Sequence, residues 1–582
     1  MDTHDTDRHW GPRIGPDGVH FRLWAPGLDA LSLHLDGQNF PMEKQGEGWF
    51  ATVAEAHDGS EYGFCIPDGR MFHDPAAHAQ SGDVHSLSRV VFPKYEWKHP
   101  PSARKWEEAV IYECHVGTFT PEGTFAAIHD KLDYLVDLGI TALELLPVAT
   151  FGGERGWGYD GTLLYAPHRA YGTPDELRAL VDAAHGKGLM MMLDVVYNHF
   201  GPEGSYIPAH TPEFFDAERH TPWGPAIDYS ERPVRRFFID NAVYWLQQFR
   251  FDGLRFDAVD HIRDTSEPEF LIQLPRDIRA RMDRDVHLTT EDNRNITFLH
   301  ERRGNHVPLM TAEWNDDWHH CAHVLATKET EGYYVSFGDD PAGLMAKAAA
   351  TGYSYQGEVY EGGEARGAPS DHLPPAAFID FLQNHDQVGN RAIGERIAAL
   401  ASPEMIRALH TTLLLSPHIP LLFMGEEYGE TRPFLFFADF HDELGRAVTE
   451  GRRKEFAGFG GHQAEDVPDP IAVSTFTDSK LDWAKLSAEP HSATFAFVRH
   501  LLRLRQDKIV PLLHGTGPQS GKVIEAPERC VAVDWRLNGG TLRLRANFGD
   551  TAVDLPPAAG ELIQLTGKAP GAPVSAAFWL AL

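Results

Sequence analysis

The chain begins with strand-like alternation. Val19, Phe21 and Leu23 occupy alternate positions, and Leu31, Leu33 and Leu35 do so again after the turn PGLDA. Apolar residues at a period of two predict half-buried strands. Further short strands are expected near 48–53 and 60–66, with DG and Pro turns between them, so residues 1–95 read as an N-terminal β-sandwich. The stretch PKYEWKHPPSARKWEE, rich in Pro and Lys, reads as the linker out of it.

From residue 110 the pattern changes to strand-then-helix units. The candidate strands are VIYECHV (110–116), ALELLPV (142–148), GLMMMLDVV (188–196) and GLRFDAV (253–259). They continue with HLTTED (287–292), LMTAEW (309–314), FIDFLQ (378–383) and IPLLFMG (419–425). Amphipathic segments such as TPDELRALVDAAHGKG and VRRFFIDNAVYWLQQF lie between several of them. Eight buried runs with interposed helices predict an α/β fold, a (β/α)8 barrel over 106–510, with a short insertion after the third strand at about 198–231. Helices after strands five and six are poorly marked, which leaves a doubly wound open sheet as the alternative on pattern alone. Residues 511–582 return to short strands (CVAVDWRL, TLRLRANF) around an NGG turn and predict a C-terminal antiparallel β-domain.

A length of 582 residues exceeds what one compact core organises, in keeping with three domains. The net charge of -32 argues against nucleic acid or an anionic membrane as partner, since both reward Lys and Arg. No run of about 18 apolar residues appears, so no membrane span is expected. The N-terminus is polar and acidic, without the apolar core of a secretory leader, and Cys65, Cys114, Cys321 and Cys530 are scattered singly. Both features predict a cytoplasmic protein with reduced thiols. There is no CxxC or HExxH spacing to suggest a zinc site. The aromatic share of 11% fits sugar-stacking platforms and β-rich cores equally.

Three carboxylates end apolar runs: Asp257 in GLRFDAV, Glu291 in HLTTED and Asp386 in FIDFLQNHD. In a parallel barrel such ends converge on one face. A nucleophile, an acid/base and an electrostatic support are what glycosidic bond cleavage requires. Arg255 lies two residues before Asp257 on the same side of its strand, where a guanidinium favours the ionised carboxylate. Glu291 must instead stay protonated at neutral pH, so its surroundings should raise its pKa. A retaining mechanism would set the two carboxyls about 5–5.5 Å apart.

Four segments taken together carry a resemblance. DVVYNH, GLRFDAVDH, TTED and FLQNHD fall in order on strands three, four, five and seven. The set resembles the α-amylase superfamily, glycoside hydrolase family 13. The resemblance implies Asp257 as nucleophile, Glu291 as general acid/base and Asp386 as transition-state stabiliser. It also implies that His199 and His385 hydrogen-bond the sugar being cleaved and that Tyr159 stacks on it, with Trp157 lining the same place. Arg255 would stand beside the nucleophile, and Asp194 reads as the buried partner of Arg255 or of a neighbouring segment, supporting the site rather than reacting. The calcium-binding insertion common in amylases is short here and offers only Asn198, so no metal and no cofactor are expected.

Further segments, among them YECHVGTFTPEGTF, WGYDGTLLYAPHRAYGTPDEL, AEWNDDWHH and EGRRKEF, look closely like the trehalose-releasing members of that superfamily. This implies hydrolysis of the α-1,4 bond next to the terminal 1,1-linked disaccharide of maltooligosyl trehalose. Within WNDDWHH, Trp314 and Trp318 are candidates for stacking, and Asn315, Asp316, Asp317, His319 and His320 for hydroxyl contacts. Asp260 and His261 stand where amylases often carry Lys-His, a change expected to alter contacts to the leaving portion. The rivals are a glycogen branching or debranching enzyme and a non-catalytic glucan-binding relative. The three retained carboxylates argue against the second.

Overall fold

The computed structural model describes residues 10–221, 224–304, 306–360, 363–456, 463 and 466–582. The alternating N-terminal segments form two antiparallel sheets. One pairs 13–15, 18–24, 49–54 and 43–44, and the other pairs 38–41, 32–35, 61–65 and 71–72, with 88–89 alongside. Val19, Phe21, Leu23, Leu31, Leu33 and Leu35 are all buried, as their spacing requires.

Eight parallel strands close on one another: β1 (Ile111–Cys114), β2 (Ala142–Leu145), β3 (Met190–Val195), β4 (Gly253–Phe256), β5 (His287–Thr290), β6 (Ala312–Trp314), β7 (Phe378–Phe381) and β8 (Ile419–Phe423). Ile111 of β1 pairs with Ala142 on one side and Leu421 on the other, so the sheet has no edge and the open-sheet alternative falls. Every residue of these strands except His287 is buried, which explains why they read as continuous apolar runs rather than as alternation. The helix Pro174–Gly186 shows how local sequence sets an element. Thr173 and Glu176 form a reciprocal capping box at its start, and Leu177, Leu180, Val181 and Ala184 bury one face.

β5 is followed by irregular chain with only a short turn at Phe298–His300 among the described residues. The sequence DNRNITFLHERRG has no helical period to support more. Strand β6 is followed by helices at Asp316–Thr327 and Pro341–Thr351. Past the barrel, a five-stranded antiparallel sheet runs in the order 521–523, 530–537, 540–547, 575–581, 561–566. Leu537 and Gly540 pair across its tight hairpin, where Gly539 takes φ +92°, a conformation that costs glycine little.

Candidate active site

Asp257 follows the last residue of β4, and the chain then turns sharply. Ala258 adopts φ 39°, ψ 53°, left-handed geometry that is uncommon for a residue with a Cβ. Its N–H donates to Oε2 of Glu291 at 3.1 Å. The turn therefore ties the end of β4 to the end of β5.

Beneath it lies Arg255, only 1% exposed. Nη1 donates to Oδ1 of Asp257 at 2.8 Å and to Oδ2 of Asp194 at 2.7 Å, while Nη2 donates to Oε2 of Glu291 at 2.6 Å. Strand register prepares this fork, because Asp194 of β3 lies opposite Arg255 and Thr289 of β5 lies on its other side. The guanidinium rests on the Trp314 ring, 4.1 Å from its centroid. One buried cation thus gathers acidic groups from three consecutive strand ends.

Asp386 opens a short helix, His385–Gly389, whose N-cap Asn384 accepts from the N–H groups of Asp386 and Gln387. Its Oδ1 accepts from Asn390 Nδ2 at 2.5 Å. Asn390 is itself held by Arg452 of the Asp442–Phe456 helix, through Nη1 at 3.1 Å, and Arg452 also donates to the Gly389 carbonyl.

The electrostatics separate the carboxyls. Burial pushes Glu291 well above the ordinary range; Arg255 opposes the shift, and the charges of Asp257 and Asp386 add to it. Burial likewise raises Asp386, with His385 opposing and Asp257 adding. Asp194 is pushed up to about 6 by burial against the pull of Arg255. A protonated Glu291 beside Asp257 is the arrangement in which one carboxyl donates a proton while the other attacks.

The remaining candidates divide. Tyr159 donates to Oδ2 of Asp194 at 2.6 Å, and its ring stacks on His385 with centroids 4.9 Å apart. His385 is anchored from below by Glu113 of β1, whose Oε2 accepts from the His385 N–H at 3.0 Å and whose Oε1 accepts from Nδ1 at 2.5 Å. His199 is buried with its ring nitrogens on the Tyr159 carbonyl, at 3.0 Å, and on the Asn198 side-chain oxygen. Burial lowers its pKa. It braces the Tyr159 segment. Asn198, the candidate calcium ligand, is spent on Asp257, donating to its Oδ2 at 2.8 Å and its carbonyl at 2.9 Å. Among the described residues no cluster of three or more His, Cys, Asp or Glu is arranged to hold a metal ion.

Two aromatic expectations need correction. Trp157 is buried, donates to the Leu435 carbonyl at 2.9 Å and stacks on Phe434, so it is the wall behind His385 rather than a sugar platform. Trp318 has no exposed surface and belongs to the hydrophobic core. The cause is that the helix Asp316–Thr327 is enclosed on nearly every side: residues 317–325 are all buried, Trp318 among them. Asn315, Asp317, His319 and His320 are buried beside it, which leaves Asp316 as the partly exposed member of WNDDWHH. Burial pushes Asp316 to about 7, and it accepts from Gln387 at 3.1 Å. Asp260, half-buried, and His261, exposed, sit on the turn Val259–His261 past Asp257, on the rim. Burial, with Asp292 adding, raises the Asp260 carboxyl.

Sequence reasoning missed Glu113, Asn390 and Arg452. Glu113 carried a signal, a lone carboxylate inside the buried run VIYECHV, of the same kind that marked the other three.

Comparison with known proteins agrees with this geometry. The family model described as "Alpha amylase, catalytic domain" matches residues 80–218 and 210–454, and one described as a domain of unknown function matches 520–578. The chain belongs to the alpha-amylase family of glycoside hydrolases. Within it, the chain belongs with the malto-oligosyltrehalose trehalohydrolases. It is 41% identical to the protein of that name from Deinococcus radiodurans over 518 residues, 88% of this chain and 85% of that one. To the one from Saccharolobus solfataricus it is 38% identical over 507 residues, 86% and 87% of the two chains. The solved structure of an alpha-amylase-type protein from Salmonella typhimurium superposes with a TM-score of 0.96 at 51% identity, over 99% of this chain and 100% of that one. A 1,4-alpha-glucan branching enzyme from Mycolicibacterium paratuberculosis is 36% identical, but over only 43% of this chain.

Proposed function

We propose that this chain hydrolyses the α-1,4-glucosidic bond next to the terminal trehalose unit of maltooligosyl trehalose, with retention of configuration, releasing trehalose. The observation that carries the chemistry is the Arg255 fork, which holds Asp257 and Glu291 on the two arms of one guanidinium. Asp257 attacks the anomeric carbon, and a glycosyl ester forms as the bond to the leaving oxygen breaks. Glu291 gives that oxygen its proton. Glu291, now a base, takes a proton from water, which attacks the ester and restores Asp257. Asp386 faces the sugar and offsets the positive charge that develops on it. The raised pKa of Glu291 supports its part as acid.

The choice of substrate rests on relatives that carry the trehalohydrolase name over most of this chain's length, against a branching-enzyme match over less than half of it. The acidic balance suits a neutral glucan. Four free cysteines suit a reducing, cytoplasmic setting, and among the described residues no helix is long and apolar enough to cross a membrane. The test is to incubate the purified protein separately with maltopentaose, amylopectin and maltooligosyl trehalose and chromatograph the products. Trehalose from the last substrate, with little change in the others, supports the proposal. New branches in amylose, or hydrolysis of amylopectin alone, would replace it with the branching or debranching reading.

A further inference from the structure

Glu113 is one of several buried charged residues on the barrel strands, and it lies in the floor beneath His385. It is 1% exposed, on β1, between the buried Tyr112 and Cys114. A buried carboxylate is costly unless its oxygens are taken up, and here both are taken up by one residue. Oε2 receives the main-chain N–H of His385 at 3.0 Å, and Oε1 receives its ring Nδ1 at 2.5 Å. This two-point grip fixes both the start of the His385–Gly389 helix and the torsion of the imidazole. A carboxylate only accepts, so Nδ1 must carry a proton, and the ring offers an Nε2–H as well in its imidazolium form, which the buried Glu113 charge pairs with. The ring is held from its faces as well. Tyr159 stacks on it at 4.9 Å with an interplanar angle of 17°, and Trp157 meets it edge-on at 5.6 Å. With Nδ1 turned down to β1, Nε2 is the opposite edge of a ring that adjoins Asp386 in the chain.

We propose that Glu113 is a positioning residue for the reaction: by gripping His385 at two points it presents the ring's Nε2–H to the sugar being cleaved, as a donor whose direction and protonation are set from the barrel floor. This rests on the glycosidase reading given above and adds a component to it.

The charges around the ring are consistent. Burial alone would lower the pKa of His385, yet it is raised, because Glu113 lies against it and Asp386 adds to the effect; Arg255 opposes. His115, Asp194 and the stacked Tyr159 are its other titratable neighbours: burial drives His115 down to about 3, so that it stays neutral, raises Asp194 to about 6 and raises the Tyr159 hydroxyl well above its ordinary range. Neutralising Glu113 therefore lowers the share of imidazolium at any given pH. The Glu291 pKa is raised as well, so the limb belongs to the site as a whole, and the comparison is of its displacement between variants.

The test is a pH–kcat profile of Glu113→Gln against the wild type, on whichever α-1,4-linked glucan the wild type turns over. A wild type that releases no trehalose would strike the substrate assignment and leave this comparison intact. The expected result is a kcat roughly 10- to 100-fold lower with KM changed less than about threefold, and an alkaline limb moved to lower pH. In a His385→Gln background, Glu113→Gln should add little, since its target is gone. Should Glu113→Gln fail to fold, Glu113→Asp, which keeps the charge one methylene further back, takes its place and should move the limb the same way by less. A limb that stays put in the folded variant, or full additivity with His385→Gln, would reduce Glu113 to a packing role and overturn the proposal.

Discussion

The side-chain amide of Asn390 donates to Oδ1 of Asp386 at 2.5 Å, and its own oxygen accepts from Arg452 at 3.1 Å. The grip on the third carboxylate thus begins on a helix beyond the last barrel strand, in the EGRRKEF segment. One oxygen of Asp386 is thereby committed to the protein. Replacing Arg452 with Ala leaves Asn390 free to rotate. The expected outcome is a kcat lower by about tenfold with KM little changed, read from steady-state kinetics on maltooligosyl trehalose.

Arg255 serves three carboxylates through a fork that a lysine, with one point charge, cannot reproduce. Arg255→Lys should lower kcat/KM by about 10³-fold, on the order of 4 kcal/mol. It should also lower the Tm, since buried Asp194 loses its counter-charge. A variant with wild-type kinetics would detach the guanidinium from the reaction.

Burial raises the pKa of Glu291 well above the ordinary carboxyl range. A carboxyl raised in this way does its work as an acid below its folded pKa and loses it as pH rises through that value. Activity should therefore fall on the alkaline side. Glu291→Gln keeps the shape, cannot transfer a proton, and should flatten that limb at a rate lower by about 10²-fold or more. Binding of a substrate analogue should persist, and titration calorimetry checks it.

Trp318 separates core from platform. Trp318→Phe should leave KM within about twofold of wild type, because the ring touches no solvent. Trp318→Ala should cost about 3–5 kcal/mol of stability through the cavity it leaves, measured by denaturant unfolding. A large rise in KM for the Phe variant with unchanged stability would restore it to the substrate side.

Glu144 of β2 is buried with neither oxygen hydrogen-bonded, and burial, reinforced by Asp194 and Glu113, raises its pKa well above the usual carboxyl range. Its protonated form fits the folded state better than its charged form does. The stability tied to that proton is present below the unfolded pKa of about 4.5 and is lost as pH rises toward the folded value. Glu144→Gln should match the wild-type Tm at pH 5 and exceed it at pH 8. Thermal melts at the two pH values check this.

The barrel was legible because its strands are buried on both faces and so stand out as unbroken apolar runs, and the three carboxylates because they interrupt such runs at the ends. The fate of the aromatics was not legible. Trp157 and Trp318 have the composition of sugar platforms, but a core uses the same residues, and only packing against Phe434 or the enclosure of the helix from Asp316 decides between the two. Asn390 and Arg452 were hidden for another reason. Asn390 reaches Asp386 from only four residues on, but Arg452 holds Asn390 across 62 residues of chain, and no local pattern encodes that second contact.

The sharpest measurement is the proton NMR spectrum of the first products formed from maltotriosyl trehalose, before anomers equilibrate. With Asp257 attacking and Glu291 donating, free trehalose should appear together with a new reducing end that is initially the α-anomer. A reducing end that starts as β, or glucose in place of trehalose, would contradict that pairing of acid, nucleophile and bond.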